Sequence, residues 1–119
     1  MTPGPRVEKL IADAKARIKE ITPVEAAAKQ ATGAILIDVR DGEDFGKSHA
    51  TGAVNLSRGT IELKIEQLVP SADAAIVCYC GGGSRSALAT DSLQKMGYTN
   101  VASVIGGFKA WKEANLPTE

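Results

Sequence analysis

One loop of the sequence combines a nucleophile with a glycine-rich turn that can bind an anion. It runs from Cys80 to Ser86 with the sequence CGGGSRS. The three glycines, Gly81 to Gly83, allow positive φ values, and successive N–H groups that turn inward bind anions at the positive end of the following helix. A helix N-terminus and a nearby arginine, here Arg85, lower the pKa of a cysteine. We therefore expect Cys80 to be a thiolate nucleophile that needs no general base.

Other interpretations of these residues carry no chemistry. A glycine-rich turn between a strand and a helix is often only a tight connection, and the spacing of this loop alone does not decide between the two. Cys78 lies inside an apolar run, which favours an inert buried residue over a resolving thiol. Two cysteines and one histidine offer no ligand spacing that fits a metal, so we predict no metal site.

Apolar runs and amphipathic patterns alternate along the chain. Runs typical of buried strands cover 34–39, 53–56, 74–79 and 101–105. Amphipathic helical patterns cover 7–21, 23–31, 61–69, 86–96 and 108–114, and a capping box of Thr22 and Glu25 begins the second of them. Strands that alternate with helices predict an α/β fold with a mostly parallel sheet and helices on both faces. Ligands of such sheets bind beyond the carboxyl ends of the strands, where the loop after Tyr79 would lie.

The composition fits one globular domain and excludes several classes of function. The chain has 119 residues, of which 44% are apolar and 24% are charged, enough for a core without metal or disulfide staples. Fourteen basic residues balance fourteen acidic ones, so no excess of positive charge favours nucleic acid or an anionic membrane. The apolar runs are too short for a signal peptide or a membrane span. We therefore expect a soluble, cytoplasmic protein.

Three separated motifs occur in one order along the chain. The first comprises LIDVR at 36–40, Phe45 and HATGAVN at 49–55, the second is the cysteine loop, and the third comprises GGF at 106–108, AW at 110–111 and LP at 116–117. Together they resemble the rhodanese superfamily of sulfurtransferases over about residues 22–117. The resemblance implies a five-stranded, mostly parallel sheet flanked by helices. It divides the chain into an N-terminal amphipathic helix extension, 1–21, and a rhodanese-like domain, 22–119.

The resemblance also implies an activity. In that family the cysteine takes a sulfane sulfur from thiosulfate or a persulfide donor, becomes a persulfide, and passes the sulfur to cyanide, a thiol or another protein. By resemblance Cys80 is the catalytic residue, and a sulfur-relay protein is a possible partner; no cofactor is implied. The donor-binding cradle consists of Gly81, Gly82, Gly83, Ser84, Arg85 and Ser86. The family's loop more often has bulky or charged residues where this chain has glycines.

Several charged residues outside the loop are further candidates. Asp38 and Arg40 resemble a charged pair of the family, and we interpret them as an ion-pair framework near the site. Arg58 follows the second predicted strand and could attract an anionic donor to the mouth of the cleft, although a solvated basic residue fits the pattern equally well. His49 belongs to the first motif, and we interpret it as part of a structural turn rather than as a base for Cys80.

Two other functions of the same fold remain open. The phosphatases and arsenate reductases related to this family have one more residue between cysteine and arginine, which widens the cradle for a tetrahedral oxyanion. Only four residues separate Cys80 from Arg85 here, which favours a single sulfur atom. Inactive members of the family act as adaptors, but these usually lack the cysteine. A carrier role, in which Cys80 holds sulfur for a partner protein, is compatible with the same residues.

Overall fold

Five parallel strands alternate with six helices in the part of the chain that the structure describes. This structure, a computed structural model, describes residues 3–119; Met1 and Thr2, which belong to the predicted extension, lie outside it. The strands are β1 Lys19–Ile21, β2 Ile35–Asp38, β3 Val54–Asn55, β4 Ile76–Tyr79 and β5 Val101–Val104. The helices are α1 Pro5–Arg17, α2 Pro23–Ala31, α3 Gly42–Lys47, α4 Ile61–Leu68, α5 Ser84–Lys95 and α6 Gly107–Glu113. None of these helices is long and apolar enough to span a membrane.

The sheet has the strand order β1-β5-β4-β2-β3, and all of its pairs are parallel. One apolar cluster covers each face, so the central strand β4 is buried on both sides. This confirms the predicted α/β fold with a five-stranded parallel sheet flanked by helices. Alternate residues of a strand face opposite sides, and accordingly Val77 and Tyr79 belong to one cluster whereas Cys78 and Cys80 belong to the other.

The prediction of a single helix through residue 21 is wrong at its end. Helix α1 ends at Arg17, Ile18 has extended backbone angles, and residues 19–21 form the edge strand β1 beside β5. A three-residue strand is too short to display a period of two, so its Ile21 also matched the helical spacing. The division of the chain at residue 22 stays a prediction.

Candidate active site

Cys80 is the first residue after β4, and its sulfur is enclosed by the loop that follows. The side chain is only 1% exposed. The backbone N–H of Gly83 donates to Sγ at 3.1 Å, and the hydroxyl oxygen of Ser86 lies 3.5 Å from Sγ. Gly83, which has φ 105°, precedes the first residue of α5, so the loop turns into the helix at a position that favours glycine. Cys80 therefore faces the positive end of a twelve-residue helix.

The first turn of α6 holds the outside of the same loop. The N–H of Phe108 donates to the carbonyl of Cys80 at 2.7 Å, and the N–H of Lys109 donates to the carbonyl of Gly81 at 3.2 Å. A Cβ atom on Gly107 would overlap the Cys80 carbonyl oxygen and would lie 2.8 Å from the Gly81 carbonyl carbon. Two carbonyl groups of the loop thus accept hydrogen bonds from α6. The N–H groups of the loop remain free to point at the sulfur.

These hydrogen bonds decide the ionisation of Cys80. Burial by itself raises the pKa of the thiol, but hydrogen bonds from the Ser86 side chain and from the N–H groups of Ser86, Gly83 and Gly82 outweigh burial and hold the pKa below its ordinary value. Arg85, which was expected to contribute to this effect, is exposed and forms no hydrogen bond or ion pair within residues 3–119. The main causes of the lowered pKa are therefore hydrogen bonds from the loop and from Ser86.

The remaining predicted loop residues lie on the solvent-facing side of the cysteine loop. Ser84 is exposed at the first position of α5, and Gly82 is exposed as well. The guanidinium Nη2 of Arg85 would lie 3.8 Å from a Cβ atom placed on Gly81. The guanidinium therefore lies beside the space that a side chain at position 81 would occupy, and it remains available to an anion. Donor binding by these residues stays a prediction.

Ser103 on β5 belongs to the site although no sequence motif indicated it. Its hydroxyl oxygen is 2.8 Å from that of Ser86, and both residues are fully buried. Only the sheet register brings it there, because Ser103 pairs with Cys78 across β4 and β5. Gly107 is part of the third motif, but no role in the site was predicted for it; the double glycine was the signal that could have indicated one.

Asp38 and Arg40 form the predicted ion pair at the end of β2. Nη2 of Arg40 donates to Oδ2 of Asp38 at 2.8 Å, and Nε donates to Oδ1 at 3.1 Å. Nη2 also donates to the carbonyl of Ser48 at 2.7 Å, and the guanidinium carbon lies 4.4 Å from the centroid of the Phe108 ring. The pair therefore supports α6, and through Phe108 the carbonyl of Cys80; among the described residues it does not contact the sulfur.

Arg58 and His49 lie outside the loop contacts. Arg58 precedes α4, where Nη1 donates to Oε2 of Glu62 at 2.9 Å. No hydrogen bond joins Arg58 to the cysteine loop in the described part of the chain, so its role stays a prediction. His49 stacks on Phe45, and its Nε2 lies 3.3 Å from Oε1 of Glu119. These contacts are those of a residue in a structural turn.

Cys78 is buried like Cys80, but its thiol has the opposite pKa shift. It is completely buried, and burial raises the pKa of its thiol to about 12. Both cysteines are free. Within residues 3–119, no three His, Cys, Asp or Glu side chains are grouped as a metal ion would require.

Comparison with known proteins identifies relatives of this chain. The family model for the Rhodanese-like domain matches residues 22–114. The thiosulfate sulfurtransferase GlpE of Haemophilus influenzae is 44% identical over 102 residues, which are 85% of this chain and 94% of that protein. A Rhodopseudomonas palustris protein of unknown function, described as a possible tyrosine phosphatase, is 31% identical with a TM-score of 0.87, covering 100% of this chain and 96% of that one. The polysulfide-sulfur transferase of Wolinella succinogenes is 25% identical with a TM-score of 0.82, covering 94% and 85%.

Proposed function

The chain belongs to the rhodanese family, and from this premise we propose that it transfers sulfane sulfur through a persulfide on Cys80. It is a sulfurtransferase, and two of its relatives named thiosulfate sulfurtransferase are 44% and 37% identical to it over most of the chain. The observation that carries the proposal is the group of N–H donors and one hydroxyl around Sγ, which lowers the pKa of a buried thiol. A lowered thiol pKa increases the fraction of thiolate at a given pH, and a thiolate nucleophile needs no general base.

The first step forms the persulfide. The Cys80 thiolate attacks the outer sulfur of thiosulfate, the S–S bond of the donor breaks, and its electron pair leaves with sulfite. The products are a Cys80 persulfide anion and sulfite, so charge and atoms balance without an oxidant or a proton. The attack uses the charge on Sγ to form the new S–S bond, and the negative charge of the persulfide lies on its outer sulfur, where the loop N–H groups can stabilise it.

The second step returns the enzyme to its thiolate. A thiophilic acceptor, such as cyanide or a thiolate, attacks the outer sulfur of the persulfide, and the bond to Sγ breaks with its electron pair left on Cys80. A low pKa of the leaving thiol speeds this step. The proposal includes a protein thiol of a sulfur-relay partner among the acceptors and assigns the reaction to the cytoplasm, where free cysteines such as these two persist.

Donor binding involves Arg85 and the open glycine loop. Thiosulfate is a dianion that approaches an anionic sulfur, so a cation near the mouth is needed to offset the repulsion. Arg85 is the arginine of the loop, and its planar fork suits a sulfonate group. Because Gly81 to Gly83 carry no side chains, nothing from these three positions narrows the entrance.

A phosphatase activity is the second candidate, because the Rhodopseudomonas palustris relative is described as a possible tyrosine phosphatase. Such chemistry would use Cys80 to attack phosphorus, with Arg85 on the phosphate oxygens. The exposed position of Arg85 and the four residues between it and Cys80 favour the sulfur reaction.

The intact mass of the protein before and after thiosulfate tests the proposal. We expect the wild-type chain to gain one sulfur atom, and a reducing agent to remove it. The Cys80→Ser variant should gain none, whereas the matched Cys78→Ser variant should gain one. A wild-type chain that gains no sulfur, or sulfur that remains in Cys80→Ser, would contradict the proposal. Turnover of an aryl phosphate that Cys80→Ser abolishes would then favour the phosphatase.

A further inference from the structure

We propose that Ser103 is a positioning residue for sulfur transfer, because its hydroxyl holds the hydroxyl of Ser86 in the orientation that donates to Cys80. The inference rests on the proposed function and adds to it a residue on β5 that lies outside the cysteine loop. Its basis is a chain of three buried groups: Ser103 Oγ is 2.8 Å from Ser86 Oγ, which is 3.5 Å from Cys80 Sγ. No part of Ser86 or Ser103 is exposed to solvent.

The number of protons on each group decides which way the hydrogen bonds between Ser103, Ser86 and Cys80 point. A serine hydroxyl has one proton to donate and two lone pairs to accept with. When Cys80 is a thiolate, its sulfur can only accept, so Ser86 uses its single proton on Sγ. The short contact between the two hydroxyls must then be a hydrogen bond that Ser103 donates. Among residues 3–119, Ser103 Oγ has no other hydrogen-bond partner, so its proton is available for this bond.

The thiol form reverses both bonds. A neutral Cys80 can donate its S–H to Ser86 Oγ, and Ser86 can then donate to Ser103. The two hydroxyls therefore rotate together as Cys80 gains or loses its proton, and no buried hydroxyl loses its partner in either state. In the thiolate state the donation from Ser103 polarises Ser86 and strengthens its bond to the sulfur.

The consequence for the reaction lies in the second step. When the acceptor removes the outer sulfur, negative charge returns to Sγ, which is the leaving group of that step. A leaving thiolate with a lower pKa leaves faster. Loss of the Ser103 hydroxyl should therefore slow transfer to the acceptor, although this residue does not touch the reacting sulfur.

The test measures the pKa of Cys80 from the pH dependence of its alkylation by iodoacetamide, with Cys80→Ser as the blank. We expect Ser103→Ala to raise the pKa by about 0.5 unit, an approximately threefold change. Ser103→Thr keeps the hydroxyl and should keep the wild-type pKa. Ser103→Val has the shape of threonine without the hydroxyl and should raise the pKa as Ser103→Ala does. That pair also preserves the test if Ser103→Ala does not fold. The control is Thr90→Val, which removes an equally buried hydroxyl of α5 that has no hydrogen-bond partner among residues 3–119, neither Cys80 nor Ser86.

A double-mutant cycle separates positioning from general packing. If Ser103 acts through Ser86, Ser103→Ala should raise the pKa in the wild-type background and leave it unchanged in the Ser86→Ala background. None of these variants changes a charged or titratable side chain, so those of the neighbouring elements stay the same: Asp38 on β2, Cys78 and Tyr79 on β4, Arg85, Asp91 and Lys95 on α5, Lys109, Lys112 and Glu113 on α6, and Arg58 before α4. An unchanged pKa in Ser103→Ala, an equal shift in Thr90→Val, or the same additional shift without Ser86 would overturn the inference.

This measurement does not depend on the proposed reaction, because iodoacetamide reads the thiolate without any sulfur donor. A second measurement does depend on it: transfer from the preformed persulfide to cyanide in a single turnover, which Ser103→Ala should slow by about twofold. If no persulfide forms, the proposed function fails, but the alkylation result still shows whether the Ser103 hydroxyl lowers the pKa of Cys80. If the persulfide forms and neither quantity changes, the role of Ser103 is wrong and the proposed function stands.

Discussion

Two cysteines that lie two residues apart and face the same side of the sheet have opposite acidities. Cys78 and Cys80 are 0% and 1% exposed, and both belong to the same apolar cluster. Burial raises the pKa of Cys78 to about 12, whereas the pKa of Cys80 lies below its ordinary value. Desolvation acts on both, so burial does not explain the difference.

The difference comes from where the neighbouring N–H groups point. Cys78 lies in β4 between β2 and β5, and the backbone there is paired in the ladders on both sides. The loop after Cys80 has no strand partner, and its carbonyl groups at Cys80 and Gly81 are bonded to α6 instead. Its N–H groups can therefore converge on Sγ. Because β4 ends at Tyr79, Cys78 inside the strand is an inert thiol, whereas Cys80, two residues later, is a nucleophile.

The largest effect expected is complete loss of sulfur transfer in Cys80→Ser. A serine hydroxyl stays protonated at neutral pH and cannot carry a persulfide, so activity should fall to the rate without enzyme. Cys78→Ser, the matched change in the strand, should retain most of the activity. Steady-state transfer from thiosulfate to cyanide measures both. Equal losses in the two variants would mean that the cysteines act together and that the contrast between strand and loop is not functional.

The next effect tests the support of the loop by α6. Gly107→Ala should lower the free energy of unfolding by about 3 kcal/mol, since Gly107 has φ 56° and its Cβ would overlap the Cys80 carbonyl. Because the loop must move, the pKa of Cys80 should also rise toward its ordinary value. Denaturant unfolding and alkylation measure the two quantities.

The control for Gly107 is Gly46→Ala on the exposed helix α3. A Cβ atom on Gly46 would meet no other atom within 4 Å, and Gly46 has no positive φ, so alanine there should be neutral or slightly stabilising. A Gly107→Ala variant that keeps wild-type stability and a low Cys80 pKa would show that the loop does not depend on α6.

Opposite pH dependences should follow from the two pKa shifts. The pKa of Cys78 is higher in the folded protein than in the unfolded chain. As pH rises from about 9 toward about 12, the thiol therefore ionises in the unfolded chain but not in the folded protein, and the free energy of unfolding decreases. The lowered pKa of Cys80 gives stability that is fully present above the unfolded value and is lost as pH falls through the folded one. From pH 8 to 10, the stability difference between wild type and Cys78→Ala should shrink by about 1 kcal/mol.

Denaturant unfolding at each pH checks both signs, because each variant is compared with wild type at the same pH and other titrating groups cancel. The stability difference between wild type and Cys80→Ser should grow as pH rises toward 9. Parallel curves for the two variants would mean that the cysteines have the same pKa when folded, and the contrast between strand and loop would be wrong.

The fold was largely predictable because its signals are local. The apolar runs of β2, β4 and β5 are too continuous for surface strands, and the capping box at Thr22 and Glu25 begins α2 as predicted, with Glu25 N donating to Thr22 Oγ1 at 3.1 Å. The cysteine loop was located by its glycines and by the helix after it. Strand β1 was missed because three residues at an edge carry too little pattern.

The parts of the site that sequence reasoning missed are held by contacts between distant segments. Ser103 reaches Ser86 only through the register of β5 on β4, and Gly107 meets Cys80 only because α6 packs on the loop. A local pattern cannot encode either approach. Arg85 was expected to lower the pKa of Cys80 because it lies five residues away in the sequence. A separation in sequence does not determine on which side of the loop a side chain lies.

The smallest effect expected is that of Arg85→Ala, and it separates binding from ionisation. Since Arg85 is exposed and makes no hydrogen bond or ion pair within residues 3–119, its removal should leave both stability and the pKa of Cys80 unchanged. The KM for thiosulfate should rise by about three- to fivefold, because an exposed cation contributes modestly to the binding of an anion, and salt should reduce this difference. Alkylation by neutral iodoacetamide, set against donor kinetics, distinguishes the two roles. A raised Cys80 pKa in Arg85→Ala would mean that charge assists the loop amides, and the acidity of Cys80 would then not belong to the backbone and Ser86 alone.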